Sequence, residues 1–250
     1  MADSKKPGWR VELGLLAYED GLEIQRRAVA ARKVGAIPDV LLECQHPHVI
    51  TIGRNGHSEH LLASTSVLRQ MGVGLHSTDR GGDVTYHGPG QAVGYPVVDL
   101  GGIRRDARWY VRQLEEAMIL ASADYGVDAR RVEGRPGIWV STAAGEEKLG
   151  AIGVHLSRWV SSHGFAYNVT TDLQNFDLIV PCGIRECRAT SLERLLGRSL
   201  PVSEVAVGIA RHLSAGIGVD FQTMASEEFE RLLAETEATG EPAPFVAVAV

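Results

Sequence analysis

Residues 137–169 read GIWVSTAAGEEKLGAIGVHLSRWVSSHGFAYNV. Three β-rich segments fall in this stretch, Gly137–Val140, Lys148–Leu156 and Phe165–Val169, with no helical periodicity between them. Working outward, Asp39–Cys44, Val49–Ile52, Leu75–Arg80, Val84–Tyr86 and Ala92–Leu100 also read as strands. Helices are predicted at Glu19–Val34, Ser66–Met71 and Asp106–Gly126. Asp106 can cap the last of these, whose apolar stripe is Trp109, Leu114, Ala117, Met118, Ala121 and Tyr125. Asp172–Phe176 reads as one helical turn, and Ser191–Leu196, Ser203–Ser214 and Ser226–Ala234 as helices, each opened by a serine suited to capping. Strands and helices thus mix without regular βαβ alternation. That predicts an α+β fold, a mixed β-sheet with flanking helices, rather than a doubly wound parallel sheet. The last three helices are expected to cover one side. Residues 1–234 are expected to form a single domain, and the composition of Ala234–Pro244 marks 235–250 as a loosely attached tail.

The composition sets limits on function. The chain has 250 residues, 44% apolar and 22% charged, which suits a globular enzyme and excludes a mainly disordered chain. A net charge of −6 argues against a general nucleic-acid binder. The longest apolar run, Phe245–Val250, is far short of the roughly 20 residues of a membrane-spanning helix. The opening MADSKKPGWR has no apolar segment, so no secretory signal is expected. Cys44, Cys182 and Cys187 are too few for a disulfide scaffold and suit a reducing cytosol.

Five segments can carry chemistry. RGGDVTYHGPGQ, Arg80–Gln91, concentrates glycines that let backbone approach a ligand, with Arg80 able to meet an anion and His87 able to donate or accept a hydrogen bond. The same residues also suit a tight hairpin with a solvated arginine. It is neither a P-loop nor a GxGxxG turn. In PCGI, Pro181–Ile184, Cys182 sits between a rigid and a permissive residue, a loop that can present a thiol or pack it beneath a turn. In EEKLGAIGVHL, Lys148 shares a strand face with Gly150, Ile152 and Val154, so its ammonium needs a partner. Snorkelling, or pairing with Glu146 or Glu147, is the plain alternative. SHGFAYN, Ser162–Asn168, places His163 and Gly164 before a strand. Cys44, His46, His48, His57 and His60 have the look of a metal cluster but lack metal-ligand spacing, so no metal is expected.

Together these segments resemble the lipoyl(octanoyl) transferases. The matching stretches, in order, are HPHVITIGRNG, RGGDVTYHGPGQAVGYPVVDL, KLGAIGVHL, SHGFAYNVTTDL and IVPCGI…TSL, over roughly Val40–Leu196. The resemblance implies the biotin and lipoate protein ligase fold. It implies transfer of an octanoyl group from octanoyl-acyl carrier protein to a lysine of lipoyl-domain apo-proteins, in the cytoplasm, without a cofactor. It places the acyl-accepting residue at Cys182 and its activating partner at Lys148. The substrate contacts it implies are Arg80, Gly81, Gly82, Asp83, Val84, Thr85, Tyr86 and His87, then Ala151, Ile152 and Gly153, then His163, Gly164 and Phe165. Tyr167 departs from the family, which commonly has Leu there.

The chemistry that follows uses two nucleophilic steps through a covalent intermediate. A free thiol is only a few per cent thiolate at neutral pH, and an adjacent Lys148 ammonium would favour the anion. Once Cys182 is acylated, Lys148 would help to deprotonate the incoming amine. Backbone N–H groups near Gly153 and Gly183 are candidate oxyanion donors. Val84, Tyr86, Ile152 and Phe165 are candidate lining for the acyl chain. Arg54, Arg80 and Arg158 are candidates for docking acidic carrier domains. The rivals are an ATP-dependent lipoate– or biotin–protein ligase, a papain-like cysteine hydrolase and a non-enzymatic carrier-binding module.

Overall fold

The computed structural model describes residues 5–180 and 188–239. Its elements in chain order are β1 (Lys6–Leu15), α1 (Tyr18–Lys33), β2 (Asp39–Gln45), β3 (Val49–Ile52), α2 (Thr65–Gln70), β4 (Gly74–Ser77), β5 (Val84–His87), β6 (Gln91–Val97) and α3 (Ala107–Ala123). Then follow β7 (Ala129–Val132), β8 (Arg135–Thr142), β9 (Gly145–Ser157), β10 (Val160–Asn168), β11 (Arg188–Ala189), α4 (Leu192–Leu196), α5 (Val202–Ile217), β12 (Val219–Met224) and α6 (Ser226–Thr239).

Among the described residues the main sheet runs β12-β1-β2-β6-β10-β9-β8-β7, with β11 on β9. β1 is parallel to both of its neighbours and β11 to β9, while the other pairs are antiparallel, so the sheet is mixed as expected. A second sheet, β4-β3-β5, carries its own small core of Ile50, Leu68, Val84, Tyr86 and Ile179. β9 and β10 join through Arg158 and Trp159, at φ 53° and 66°, the positive values that suit a tight hairpin to the twist of its strands.

The helices do not gather on one side. α3 and α5 pack together over one face, with Leu114, Met118, Ile209 and Leu213 in its core. α1 and α6 cover the other, where Ile24 and Ala28 meet Trp9, Phe229 and Leu232. A sheet apolar on both faces must be covered on both, and this separates α6 from α5. α6 also continues past Ala234 to Thr239, with Thr236 buried and Glu237 bound to Arg27 at 2.7 Å. Residues 235–239 are therefore part of the packed helix rather than a loose tail.

Two caps form as expected: Asp106 accepts the Trp109 N–H at 2.9 Å, and Ser191 accepts that of Arg194 at 3.2 Å. Ser203 does not cap α5, which starts one residue earlier after Pro201. Tyr110 takes a fully buried place on α3, while Trp109 and Tyr125 pack at its margin. β1 and β12 were not expected. Pro7, Gly8 and the charges at Arg10 and Glu12 break the apolar alternation that marks a strand.

Candidate active site

The two sheets meet along a cavity of about 550 Å³. One wall is the turn from Arg80 to Thr85 together with His87, a second is Lys148 and Ala151–Val154 of β9, and a third is His163–Ala166 of β10. Tyr18, Asn55, His57, His60, Tyr95, Val111 and Pro136 also line it.

The glycine-rich turn is clamped between the sheets. Gly81 donates its N–H to the Val154 carbonyl at 3.0 Å, and a Cβ on Gly153 would lie 2.7 Å from the Gly81 carbonyl oxygen. Glycine at 153 is thus what lets the turn lie against β9. Arg80 holds the turn from within. Its guanidinium donates to Thr51 Oγ1 and O, to Gly81 O and to Asp83 O, at 2.7–3.1 Å. Arg80 is buried, which corrects its candidacy for a protein-docking surface. Arg54 and Arg158 are exposed, and Arg54 bonds His155 Nδ1 at 2.7 Å.

Lys148 is 7% exposed, with Nζ 5.0 Å from the Trp139 ring centroid. The two glutamates beside it are engaged by arginines: Glu146 by Arg130 at 2.6 Å and Glu147 by Arg194 at 3.4 Å. Ala189 of β11 pairs with Lys148, and Thr190 donates its N–H to the Lys148 carbonyl at 2.9 Å.

His87 enters the same framework through amides. Its Nδ1 meets Gln91 Oε1 at 2.7 Å, Gln91 Nε2 donates to Asn168 Oδ1 at 2.9 Å, and Asn168 Nδ2 donates to the Thr190 carbonyl at 3.0 Å. Because the Gln91 amide nitrogen is committed to Asn168 and Tyr86, its oxygen must accept, so Nδ1 of His87 carries the proton. Burial, with nearby His46 assisting, pushes the His87 pKa down to about 3. His163 sits at φ 55°, its N–H held by Gln25 Oε1 at 2.9 Å and its Nε2 2.8 Å from Asp79 Oδ1. Burial lowers its pKa although the Asp79 contact opposes this. For Asp79, burial acts upward, but the His163 hydrogen bond and charge outweigh it and the carboxyl falls below its usual range.

Lys148 and every residue that the resemblance implies as a substrate contact line this cavity, except Tyr86. Tyr86 is fully buried on the opposite face of β5, with its hydroxyl 2.6 Å from His48 Nδ1 and its ring against Phe176. It is therefore not acyl-chain lining, because alternate residues of a strand face opposite ways. Cys182, Gly183 and Cys187 lie outside the described residues. Sequence reading missed Tyr18 and Tyr95 as lining and took His60 only as a metal candidate. Cys44 and the histidines around it do not converge: His46 bonds the Leu16 carbonyl and the Tyr95 hydroxyl, His48 bonds Tyr86, and His60 bonds Asp83. Among the described residues no three such ligands gather. Tyr167 places its hydroxyl 2.8 Å from Ser122 Oγ of α3.

The family described as the lipoyl protein ligase A/B catalytic domain matches residues 17–214. An octanoyltransferase of Solibacter usitatus is 51% identical over 203 residues, covering 81% of this chain and 90% of that protein. An octanoyltransferase of Caldicellulosiruptor saccharolyticus is 43% identical over 88% of this chain and 93% of its own length. Among solved structures, a bipartite lipoate protein ligase of Thermoplasma acidophilum superposes with a TM-score of 0.72 at 19% identity, covering 94% of this chain and 93% of that one. A lipoate-protein ligase A bound with ATP gives 0.69 at 18% identity, over 94% of this chain and 95% of its own. At those identities the likeness is one of fold, and it agrees with the expected α+β architecture.

Proposed function

This chain belongs to the lipoyl protein ligase A/B catalytic-domain family, and from that premise we propose that it moves an octanoyl group from an acyl-carrier-protein thioester to a lysine of a lipoyl domain, by way of Cys182. The coarser statement, an octanoyl-handling acyltransferase of protein lipoylation, rests on the curated relatives. The finer one is carried by the position of Lys148, a buried residue of the cavity lining beside a strand that leads from the PCGI segment.

The chain approaches Cys182 from Val180, which donates its N–H to the His60 carbonyl at 2.7 Å, and returns at Arg188 and Ala189, paired with Glu147 and Lys148. Both ends of the segment are thus tied to walls of one cavity. In the first step the Cys182 thiolate attacks the donor thioester; a new C–S bond forms, the donor's C–S bond breaks, and the carrier's sulfur leaves with a proton from Lys148. Lys148 stabilises the thiolate as its counter-ion. In the second step an acceptor amine attacks the acyl-cysteine and passes one N–H proton to Lys148; the C–S bond breaks, giving an amide and returning the thiolate opposite the Lys148 ammonium. Val111, Pro136, Ile152 and Phe165 offer the chain an apolar bed, each buried methylene contributing about 0.8 kcal/mol. No helix among the described residues is long and apolar enough to cross a membrane, and a reactive thiol suits the reducing cytoplasm proposed for the reaction.

Intact-protein mass after exposure to octanoyl-acyl carrier protein is the test. One octanoyl adduct is expected, absent from Cys182→Ser. Label retained in that variant would overturn the assignment. If free lipoate instead drives exchange between pyrophosphate and ATP, the chain is a ligase.

A further inference from the structure

Lys148 stands in a seat that β8 and α3 build around it. The register of β8 and β9 breaks there. Ile138 pairs with Gly150, yet Trp139 pairs with Lys148, which leaves Leu149 as the extra residue of a β-bulge. Regular pairing onward from Ile138 would set Val140 opposite Lys148; the bulge sets Trp139 there instead. Residues directly opposite in an antiparallel pair share a face, and the Lys148 Nζ lies over the Trp139 ring, 5.0 Å from its centroid. Trp139 is fully buried and its Nε1 donates to the Arg135 carbonyl at 3.1 Å, so the ring is held in place. The lysine stem runs past Gly137, where an added Cβ would lie 2.9 Å from Lys148 Cε. The backbone at Gly137 has φ 101°, a value that glycine tolerates and other residues resist.

Gly137 is itself pinned by a buried carboxylate. Glu115 lies on α3 among residues whose other buried members include Tyr110, Leu114, Ala117 and Met118. It accepts the Gly137 N–H at 3.1 Å and the Arg131 Nε–H at 2.9 Å. Burying a carboxylate in such surroundings is unfavourable unless its hydrogen bonds are needed there. Arg131 does not need it, because the more exposed Glu116 already meets that guanidinium at 2.7 Å. The contact that only Glu115 supplies is the one to Gly137. Resting on the reading of Lys148 as the proton carrier of the reaction, we propose that Glu115 and Trp139 are positioning residues for Lys148. Glu115 fixes Gly137, and Gly137 and the Trp139 ring together fix where Nζ stands in the cavity. The π face favours the lysine whenever it holds a proton, and the glycine leaves its stem an open track. Lys148 thus meets both steps of the reaction from one place.

An NMR signature reads the seat apart from catalysis. In protein carrying isotopically labelled lysine, the Lys148 Cε methylene is expected upfield of the other lysines under the Trp139 ring current, and is identified by its loss in Lys148→Met. Glu115→Ala is expected to return that signal toward the others. It should also lower the maximal rate of octanoyl loading about tenfold, with half-saturation by octanoyl-acyl carrier protein changed less than about twofold, because a misplaced reacting group lowers rate rather than binding. Glu115→Gln is expected to restore both readouts: its amide oxygen still accepts the buried Gly137 N–H, while the partly exposed Arg131 turns to Glu116. Trp139→Leu should erase the shift and slow loading about tenfold, and Trp139→Phe, which keeps a ring, about threefold. A signal unmoved in Glu115→Ala, or a Gln variant no better than the Ala variant, would overturn the role of Glu115. A signal that moves while loading stays at the wild-type rate would show that the seat does not serve the reaction and overturn the proposal. If the unaltered enzyme forms no acyl adduct, the acyl-cysteine reading fails instead, and the NMR comparison still decides whether Glu115 and Trp139 hold Lys148.

Discussion

His87 Nδ1 lies 2.7 Å from Gln91 Oε1, and that contact fixes the tautomer of the imidazole in the cavity wall. The ring titrates near pH 3, because burial disfavours its charged form. His46 and His163 are shifted in the same direction by burial. In the unfolded chain each would titrate near pH 6.5. Between that pH and its folded value, the unfolded state binds the proton and the folded state does not. Stability is therefore full above about pH 6.5 and falls as the pH drops, at about 1.4 kcal/mol per pH unit for each such group. Asp39 and Glu43, raised by burial, act with the opposite sign. Urea midpoints from pH 7 to pH 4 should fall, and His87→Gln should flatten that fall. An unchanged slope in the variant would remove His87 as its source.

Thiol reactivity should divide sharply. Cys44 is buried, 3.5 Å from His46 Nε2, and burial pushes its thiol far up. It should resist iodoacetamide in the native protein and react only after unfolding. Cys182, if paired with Lys148, should react near neutral pH, and Lys148→Ala should slow that reaction about tenfold per unit of lost pKa depression. Peptide mapping after timed alkylation reads both sites. Native labelling of Cys44, or a Cys182 rate indifferent to Lys148, would count against these assignments.

The Tyr167 hydroxyl reaches Ser122 in a fully buried site, and Ser122 also donates to the Met118 carbonyl at 2.8 Å. Ser122 keeps a partner when the phenol is lost, so Tyr167→Phe should cost only about 0.5–1.5 kcal/mol. Tyr167→Leu removes ring volume from a packed core as well and should cost more. Denaturant unfolding of the two variants checks the order. A Leu variant as stable as wild type would mean the core closes around the smaller side chain.

The motifs that carry chemistry were legible because they are local: glycines, a histidine and an arginine within one turn, or a lysine opening an apolar strand. What they touch was not. The charges of Arg10 made β1 unreadable as an interior strand, yet Arg10 meets Glu43 of the neighbouring strand at 2.6 Å, and the pair enters the sheet together. That partner lies thirty-three positions on, invisible to periodicity. Arg80 read as a surface cation, but the backbone carbonyls that surround it come from β3 and from its own turn. Tyr18 and Tyr95 reach the cavity from the start of α1 and from the middle of β6, where nothing in their sequence neighbourhoods signals a ligand. His60 and Asp83 are likewise brought together only by the pairing of β3 with β5, which carries the loop after one strand to the start of the other.

Gly153 tests how tightly the two sheets are clamped. An added methyl would meet the Gly81 carbonyl oxygen at 2.7 Å and Arg80 Cδ at 3.2 Å. The oxygen is backbone and cannot rotate away. Its turn is also held by the Gly81 N–H on Val154 and by the four-way hydrogen bonding of Arg80. Gly153→Ala must therefore displace the turn or bend β9, and overpacking of this kind costs about 1–3 kcal/mol. Displacement also moves the wall that faces Lys148 across the cavity. Both a lower urea midpoint and slower octanoyl loading are expected, with loading still impaired under conditions where the variant is fully folded. A variant that loads at the wild-type rate would show that the turn can shift without consequence, and that contact between Gly81 and Gly153 does not set the geometry of the site.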